Sequence, residues 1–439
     1  MANTEILKKI ADKSVKIGII GLGYVGLPLS VAFARHGIIV LGFEKNAQKA
    51  EAVNKAQNYI SDITDTELIN VVSKTNKLSA TTDFSRIKEC DAVIICVPTP
   101  LDKFRKPDMS FIENSCIDIG RNMKAGTFIS LESTTYPTTT ENFIRPIIEM
   151  ESGLSEGKDF WLCFSPERVD PGNTEYKTDN TPKVIGALGK EAAEIAEALY
   201  SIAIKHLCMV SSPRVAEMVK ILENTYRLVN ISLVNELALL SGKMDIDIWE
   251  VIEAAKTKPY GFQAFYPGPG IGGHCIPLDP FYLEHIAKNF NFELSMIHTA
   301  GAINDLMPYR MMNKISFALN RHKKPLNGST VLFLGIAYKP DINDARESPA
   351  LSLMEIIAHK GARVLYHDPY IAEVTDDKGN HYTSAALDDK LIKDVDCVVF
   401  TTHHSCFNIP HIIEHAQLIV DTRNAVKSVS IETDKVFKL

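Results

Sequence analysis

A glycine triad near the start of the chain constrains its fold more than any other feature. Gly21, Gly23 and Gly26 follow the apolar run VKIGII and open a helix-like segment, PLSVAFARHG. This order predicts a strand, a tight turn and a helix whose N-terminus receives a pyrophosphate, because glycine lets the backbone approach the ligand closely. Glu44 ends the next apolar run, where a carboxylate accepts hydrogen bonds from ribose hydroxyls and repels a 2′-phosphate. The sequence therefore predicts a dinucleotide site that prefers NAD over NADP.

Short apolar runs alternate with helix-like segments at both ends of the chain. After the triad, the strand-like runs are IIVLGFE, DAVIICVPTP (91–100), TFISLESTT (127–135) and KVIGA (183–187). The C-terminal segment repeats the pattern with STVLFLGIAYKPD (329–341), ARVLYHDP (362–369), DCVVFTTHH (396–404) and QLIVDTRN (417–424). Such alternation predicts doubly wound parallel sheets. Because the second set lacks the glycine triad, we expect it to bind something other than a dinucleotide.

The middle of the chain has a helical pattern. VAEMVKILENTYRLVNISLVNELALLSGKM keeps apolar residues at helical spacing for nearly thirty positions, and the helix-like DIDIWEVIEAAKTK follows it. A helix of this length is typical of a domain bridge or a dimer interface, and a buried core helix is equally compatible. We therefore predict an α/β chain with Rossmann-like, doubly wound parallel-sheet domains at 1–200 and 321–439, joined by a helical domain at 201–320.

Charge and composition exclude several classes of function. The 439 residues carry a formal net charge of −7 with 45% hydrophobic residues, and Lys and Arg are scattered. Nucleic acid is not an expected partner, because a phosphate-backbone reader needs a basic face. The stretch from Ile17 to Ala34 has no charge, but its glycines and Pro28 divide it into strand, turn and helix. We therefore expect neither a membrane span nor a signal peptide, and a cytoplasmic location.

The eight cysteines include one candidate nucleophile. No pair has C-x-x-C spacing and most lie in apolar runs, so we predict that seven of the eight are reduced core thiols. Cys275 instead follows a glycine-rich loop and precedes Asp279 by four residues. A thiolate there needs backbone N–H groups or a cation nearby, and a buried cysteine in a tight turn is an equal interpretation. Lys220 and Asn224 lie one helical turn apart, although most helical lysines are simply solvated.

Several long motifs together resemble the UDP-glucose/GDP-mannose 6-dehydrogenase family over essentially the whole chain. They are the glycine triad, VPTP, EST-T, SPER, AEMVKILENT, GPGIGGHCIPLDP and GIAYKPDINDARESPA. The segment FYPGPGIGGHCIPLDPFYL most resembles the branch acting on UDP-N-acetylhexosamines, particularly UDP-N-acetylglucosamine. UDP-glucose, UDP-N-acetylgalactosamine and UDP-N-acetylmannosamine remain alternative substrates.

The resemblance implies a four-electron oxidation of the sugar C6 hydroxyl with two NAD, which supplies precursors of surface polysaccharides. Cys275 matches the nucleophile that captures the aldehyde as a thiohemiacetal and then carries the thioester that water hydrolyses. Lys220 matches the cation that stabilises the developing oxyanion, and Asn224 matches the residue that orients the same oxygen or a water.

Acidic residues complete the implied catalytic set. Asp279 matches the acid that, with Thr134, holds a water for proton transfer. Glu167 matches the acid assigned to thioester hydrolysis, a role that a raised pKa would favour.

The resemblance also implies two sets of binding residues and a homodimer through the long helix. Those matching NAD contacts are Gly21, Gly23, Tyr24, Val25, Gly26, Glu44, Pro98, Thr99, Thr134 and Arg346. Those matching nucleotide-sugar contacts are Glu167, Arg168, Lys220, Asn224, Lys258, Tyr266, Gly268, Gly270, Gly272, Tyr338, Lys339 and Arg423. The chain departs from the UDP-glucose enzymes in two places. At His274 those enzymes often have a small residue. The segment KTKPYGFQAFYP lacks the arginine that they supply, and Lys258 could substitute for it.

The sequence leaves other classes of function open. A non-catalytic sensor of nucleotide sugars could use the same fold, although retention of the catalytic residues argues against it. His411, Glu414 and His415 match the H-x-x-E-H spacing of some zinc peptidases, but no third ligand is evident and we predict no metal. His403 and His404 end a strand-like run, and we expect them to form a satisfied surface pair.

Overall fold

The computed structural model describes residues 2–439 except 61, 103–105, 171, 172, 174, 274, 377 and 428–433. The chain forms two compact units, Met1–Glu223 with Phe281–Asn291 and Asn224–Pro280 with Phe292–Leu439. Among the described residues, none of the helices combines the length and apolar character needed to cross a bilayer.

The first unit is built on an eight-stranded sheet. Its strands are β1 (Lys16–Ile20), β2 (Ile39–Phe43), β3 (Leu78–Thr81), β4 (Ala92–Ile95), β5 (Thr127–Leu131), β6 (Phe160–Phe164), β7 (Lys183–Ala187) and β8 (Leu207–Val210). They pair in the order β3-β2-β1-β4-β5-β6-β7-β8. All pairs are parallel except β6 with β7, which is antiparallel and departs from the predicted all-parallel sheet.

Helices cover both faces of this sheet. They are α1 (Ala2–Ala11), α2 (Gly26–Arg35), α3 (Ala47–Asn54), α4 (Asp65–Ile69), α5 (Ser110–Asn122), α6 (Arg145–Ser152) and α7 (Gly189–Tyr200). Side chains alternate along β4, so that Ala92 and Ile94 pack with the helices α2 and α7 while Val93 and Ile95 pack with α5 and α6. This burial on both faces explains why the strands read as continuous apolar runs.

The middle of the chain is helical. Its elements are α8 (Pro213–Lys243), α9 (Ile248–Lys256), α10 (Cys275–Ala287) and α11 (Ser295–Arg321). The helix α8 confirms the long helix predicted from apolar spacing, and it begins in the first unit and ends in the second.

The second unit contains a smaller parallel sheet. Its strands are β9 (Thr330–Leu334), β10 (Arg363–His367), β11 (Glu373–Thr375), β12 (His381–Thr383), β13 (Cys397–Phe400), β14 (Ile419–Asp421) and β15 (Val436–Lys438), with helices α12 (Pro349–His359), α13 (Asp389–Asp394) and α14 (Ile409–His415). Five strands pair in the order β10-β9-β13-β14-β15, all parallel, and β11 and β12 form a separate antiparallel pair.

The predicted architecture of two α/β sheets with a helical middle is confirmed. The boundaries at residues 200 and 320 remain predictions. The expectation that seven cysteines are core thiols is wrong for Cys208 and Cys406, which are exposed, whereas Cys90, Cys96, Cys116, Cys163 and Cys397 are buried. The uncharged stretch from Ile17 to Ala34 forms most of β1 and α2.

Candidate active site

The glycine triad forms a turn in which two of the positions exclude any side chain. Gly21 has a φ of +91°, and a Cβ there would lie 2.6 Å from the carbonyl oxygen of Cys96. A Cβ at Gly26 would overlap the carbonyl oxygen of Gly21, at the start of α2. At Gly23, by contrast, a Cβ would meet nothing within 4 Å. The turn is therefore tight on its protein side and open at the second glycine, which fits the approach of a pyrophosphate.

The carboxylate of Glu44 is fixed beside this turn. Glu44 directly follows β2, and its two oxygens accept hydrogen bonds from the backbone N–H groups of Leu22 (3.1 Å) and Asn46 (3.0 Å). The position after a central strand and next to the triad is the one that meets adenosine ribose hydroxyls in NAD sites. The residues present therefore fit NAD.

The other predicted NAD contacts of the first unit differ in exposure. Tyr24 and Pro98 are exposed, Val25 is partly buried ahead of α2, and Thr99 is buried. The carbonyl oxygen of Thr99 accepts a hydrogen bond from the hydroxyl of Tyr282.

A buried ionic network lies at the end of β5, directly before Thr134. Lys183 donates to Glu132 at 2.8 Å, and the hydroxyl of Tyr200 donates to the same carboxylate at 2.6 Å. Burial opposes the charge on Lys183, but the carboxylates of Glu132 and Glu167 hold its pKa above the usual value. The hydroxyl of Ser133 ties this strand end to the carbonyl oxygen of Val97 at 2.8 Å. This network was not predicted from the sequence, although a Glu directly after the apolar run TFISL is a signal of it.

Lys220 and Glu167 are brought together in the first unit. The ammonium of Lys220 is buried and donates to the carbonyl oxygen of Glu167 at 2.7 Å. The Glu167 carboxylate accepts the backbone N–H groups of Arg168 and Val169 at 2.8 and 2.7 Å. Arg168 in turn pairs with Glu223 at 2.5 Å. A turn of the SPER segment thus places its acid and its arginine against α8.

The helix that carries Lys220 is anchored by a buried acid one turn earlier. The carboxylate of Glu217 accepts hydrogen bonds from the N–H groups of Thr138 and Thr140, at 2.6 and 2.9 Å. Burial raises the pKa of Glu217. These bonds link α8 to the segment that follows Thr134, which is itself half-buried.

In the second unit, Cys275 is the first residue of α10 and is exposed. The free N–H groups of a helix N-terminus stabilise negative charge, which suits a thiolate. One turn later, the buried Asp279 accepts a hydrogen bond from the Nδ2 of Asn224 at 2.5 Å. The structure therefore brings two of the predicted catalytic residues into direct contact. His274 lies outside the described residues.

The glycine-rich loop before Cys275 packs against Arg423. The N–H of Gly268 donates to the Oδ1 of Asn235 at 2.9 Å, and a Cβ at Gly268 would overlap the Arg423 guanidinium. Burial lowers the pKa of Arg423 to about 10. Its Nε donates to the carbonyl oxygen of Thr401 at 3.0 Å, and among the described residues no carboxylate pairs with it. A desolvated guanidinium in this state suits an anionic ligand such as a diphosphate.

The rest of this loop packs against Tyr338 and Pro349. A Cβ at Gly272 would lie 2.7 Å from the Cβ of Tyr338, and one at Gly270, whose φ is +141°, would lie 2.9 Å from the Cβ of Pro349. Five predicted substrate residues, namely Gly268, Gly270, Gly272, Tyr338 and Arg423, thus form one packed group.

Other predicted substrate residues lie on exposed surface. Lys258 is exposed, with its ammonium 5.3 Å from the ring centre of Tyr260. The hydroxyl of Tyr266 donates to Glu253 at 2.7 Å, and its ring stacks on Trp249 with 6.0 Å between ring centres. The contacts of Tyr266 thus hold it against α9.

The remaining predicted residues of this unit follow β9. Arg346 forms a forked ion pair with Asp344, with a shortest distance of 2.6 Å, and Lys339 is partly buried.

The expectation of a surface histidine pair at His403 and His404 is wrong. His404 is fully buried, accepts the N–H of Asp341 at Nδ1 (2.9 Å) and has its Nε2 3.0 Å from the Oδ2 of Asp368. His403 is partly buried, and burial lowers its pKa. This burial could not be predicted from local sequence, because the partners Asp341 and Asp368 are distant along the chain and meet His404 only in the folded structure.

The fold and the glycine turn define an NAD-binding α/β protein, and comparison with known proteins identifies its family. Models of the UDP-glucose/GDP-mannose dehydrogenase family match the NAD binding domain at residues 15–204, the central domain at 214–306 and the UDP binding domain at 332–428. The chain therefore belongs to this family. It is an NAD-dependent oxidoreductase that acts on nucleotide sugars.

Individual relatives align over most of the chain. UDP-N-acetyl-D-mannosamine dehydrogenase of Pyrococcus horikoshii is 34% identical over 94% of this chain and 96% of its own. UDP-N-acetyl-D-glucosamine 6-dehydrogenase of Pseudomonas aeruginosa is 33% identical over 82% of this chain and 84% of its own. A solved structure of the Pyrococcus enzyme superposes with a TM-score of 0.87 at 32% identity, covering 97% of this chain and 99% of that one.

Proposed function

We propose that this enzyme oxidises the C6 hydroxyl of a UDP-N-acetylhexosamine to the carboxylate, by way of a covalent intermediate on Cys275. The observation that carries the proposal is the exposed Cys275 at the start of α10, directly after a glycine loop packed on Arg423, a partly buried arginine with no carboxylate partner among the described residues. Relatives named for N-acetylmannosamine and N-acetylglucosamine support a 2-acetamido sugar. UDP-N-acetylglucosamine stays the prediction from the sequence, and the mannosamine epimer is the second candidate because the mannosamine relative aligns over more of the chain.

The dinucleotide supplies the oxidising power of the reaction, because bound NAD accepts a hydride from C6 at each of the two oxidation steps. The turn at Gly21, Gly23 and Gly26 would hold its pyrophosphate, and Glu44 its adenosine ribose.

The chain's own residues account for the covalent steps. The thiolate of Cys275 adds to the C6 aldehyde, forming a C–S bond, and the carbonyl oxygen becomes an alkoxide that can lose a hydride. The ammonium of Lys220 stabilises that negative charge, and Asn224 orients the same oxygen. After the second oxidation, water attacks the thioester, the C–S bond breaks and Cys275 leaves as the thiolate.

The carboxylates of Asp279 and Glu167 serve the proton-transfer and hydrolysis steps. Asp279, which Asn224 holds at 2.5 Å, and Thr134 position a water that carries the proton away from the hydroxyl. Glu167 is assigned to thioester hydrolysis, and its carboxylate is kept in one orientation by the two backbone N–H groups that it accepts.

A panel of UDP-sugars tests the proposed substrate class. We expect two NADH per sugar, and kcat/KM for N-acetylglucosamine or N-acetylmannosamine to exceed that for UDP-glucose by at least ~10-fold, because a pocket that binds the acetamido group loses those contacts with glucose. Initial rates with each UDP-sugar, including N-acetylgalactosamine, give the ranking, and NADP serves as the cofactor control. One NADH per sugar, or a preference for UDP-glucose, would contradict the proposal.

Arg423 provides a test of the anion site. Replacing it in Arg423→Met should raise the KM for the UDP-sugar by ~10- to 100-fold, because a charge-assisted hydrogen bond to the ligand is worth about 1.5–3 kcal/mol. The KM for NAD should not change. Arg363→Met, which removes an exposed arginine of β10, is the matched control. Equal KM values in the two variants would place the substrate diphosphate elsewhere.

We also propose that the enzyme is a homodimer through α8. One side of the second half of this helix exposes three large apolar residues at spacings of four and three: Leu233, Leu237 and Leu240. An apolar stripe of this length is typical of an interface.

Oligomeric state in solution tests the dimer. Leu237→Glu should yield monomers in light scattering, because it buries an unpaired charge at the centre of the stripe. Met150→Glu, at an exposed apolar position on α6, should leave the dimer intact. A monomeric wild-type protein, or a Leu237→Glu dimer of unchanged stability, would exclude this interface.

A further inference from the structure

Three side chains that could bind a metal meet between two short helices in the second unit. Asp389 is the first residue of α13, while His411 and His415 lie one turn apart on α14 and share a face. One ligand atom from each of the three residues lies within 4.8 Å of the others. The two histidines are visible as a motif in the sequence, whereas Asp389 is brought to them only in the folded structure.

The distances within this cluster place both ring nitrogens against one carboxylate. The Nε2 of His411 lies 2.7 Å from one oxygen of Asp389, and the Nε2 of His415 lies 3.5 Å from the other. The two imidazole rings have their centres 4.2 Å apart. Both rings therefore direct the same nitrogen toward the same point.

A backbone contact fixes the tautomer of His415. Its Nδ1 lies 3.0 Å from the carbonyl oxygen of His411, which can only accept, so Nδ1 carries the proton and donates it. In the neutral ring, the Nε2 lone pair then faces the lone pairs of the Asp389 carboxylate. Two acceptors repel each other unless a proton or a metal cation lies between them, and orientation of a ligating histidine through its other nitrogen is a regular feature of metal sites.

Side-chain caps fix the starts of the two helices that carry the three ligands. The Asp388 carboxylate caps α13 by accepting the N–H of Leu391 at 2.7 Å, and Asn408 caps α14 by accepting the N–H of His411 at 3.3 Å. Ile392 and Ile412 anchor the two helices in one buried apolar cluster. Because the ligands start from fixed backbone, they need little ordering to bind an ion.

We propose that Asp389, His411 and His415 form a binding site for a first-row transition-metal dication such as Zn²⁺. Two imidazole nitrogens and one carboxylate oxygen suit Zn²⁺, Co²⁺ or Ni²⁺ better than Mg²⁺ or Ca²⁺, which prefer oxygen ligands. The exposed side of the cluster leaves the remaining positions to water, since the side chains of Asp389 and His411 are 58% and 38% exposed. The site joins α13 to α14, and an ion bound there stabilises the C-terminal sheet without entering the oxidation chemistry.

Binding to the chelator-treated full-length enzyme tests the site. Calorimetric titration with Zn²⁺ should give one more equivalent for the wild type than for His411→Gln/His415→Gln, and Asp389→Asn should weaken that equivalent by at least ~10-fold. Saturating Zn²⁺ should also raise the Tm of the wild type by several degrees and that of the double variant by less. His381→Gln is the matched control, because His381 is exposed and lies 3.5 Å from Glu373.

The outcomes distinguish a site that binds a metal ion from a cluster in which a proton joins the histidines to Asp389. Equal stoichiometry and equal Tm shift in the wild type and the double variant would overturn the proposal, as would a wild-type affinity no tighter than that of Asp389→Asn. If the double variant is poorly folded, Asp389→Asn decides alone, because it changes one exposed carboxylate without altering the side-chain shape.

Discussion

Cys275→Ser should reduce complete turnover to the uronic acid by at least ~10³-fold, the scale found when a covalent nucleophile is removed. The second oxidation requires a tetrahedral alkoxide at C6, and the aldehyde has none until a nucleophile adds to it. Serine lacks the acidity and polarisability of the thiol, so that the thioester that completes the four-electron oxidation cannot form. NADH release, together with mass spectrometry of trapped sugar on the protein, follows both steps.

The exposed cysteines that the sequence had assigned to the core provide the control for this experiment. Cys406→Ser changes a thiol that is also exposed in the second unit, and it should retain wild-type turnover. The covalent mechanism fails if Cys275→Ser still produces two NADH per sugar at an undiminished rate, or if the adduct maps to another cysteine.

Lys183→Met should lower the free energy of unfolding by about 3–5 kcal/mol, because it leaves the buried carboxylate of Glu132 without its cation. Both side chains of the pair are almost fully buried, so solvent cannot take the place of the ammonium. Because the pKa of Lys183 is raised, its contribution to stability is complete below the ordinary value of 10.5 and is lost as the pH rises through the higher folded-state pKa. Urea unfolding at neutral pH measures the difference.

Two further variants separate the effect of breaking the Lys183–Glu132 pair from the effect of removing a lysine side chain. Lys190→Met removes an exposed lysine that lies 3.8 Å from Glu194, and it should change stability little. Glu132→Gln combined with Lys183→Met should recover part of the lost stability, because an uncharged amide costs less to bury than an unpaired carboxylate. A single Lys183→Met variant as stable as Lys190→Met would show that the network contributes nothing.

The sequence predicts those parts of the fold that are encoded locally. The triad at Gly21–Gly26 defines β1, the turn and α2 within one segment, and apolar spacing alone predicts α8. By contrast, β6 is a fully apolar run that carries no sign of direction, so its antiparallel pairing with β7 could not be predicted. Burial of both faces removes the alternation from which an orientation could be inferred.

Contacts between distant segments account for most of the rest. Glu132 and Lys183 are 51 residues apart, and Asp389 and His411 are 22 apart, so neither pairing has a local signature. Catalytic roles for Asn224 and Asp279 are predicted only through the family resemblance, and the hydrogen bond between the two side chains appears only in the structure.

The glycine loop ahead of Cys275 also limits how this enzyme could be engineered for other sugars. At Gly272 even a single methyl group would collide with the Cβ of Tyr338 and the carbonyl oxygen of Glu347, so substitutions at this position should disturb the packing of the loop. Substitutions that alter sugar specificity are better placed at exposed positions near the loop, such as Lys258. Engineering this enzyme for another sugar should therefore change exposed residues beside the loop and keep the glycines of the loop itself.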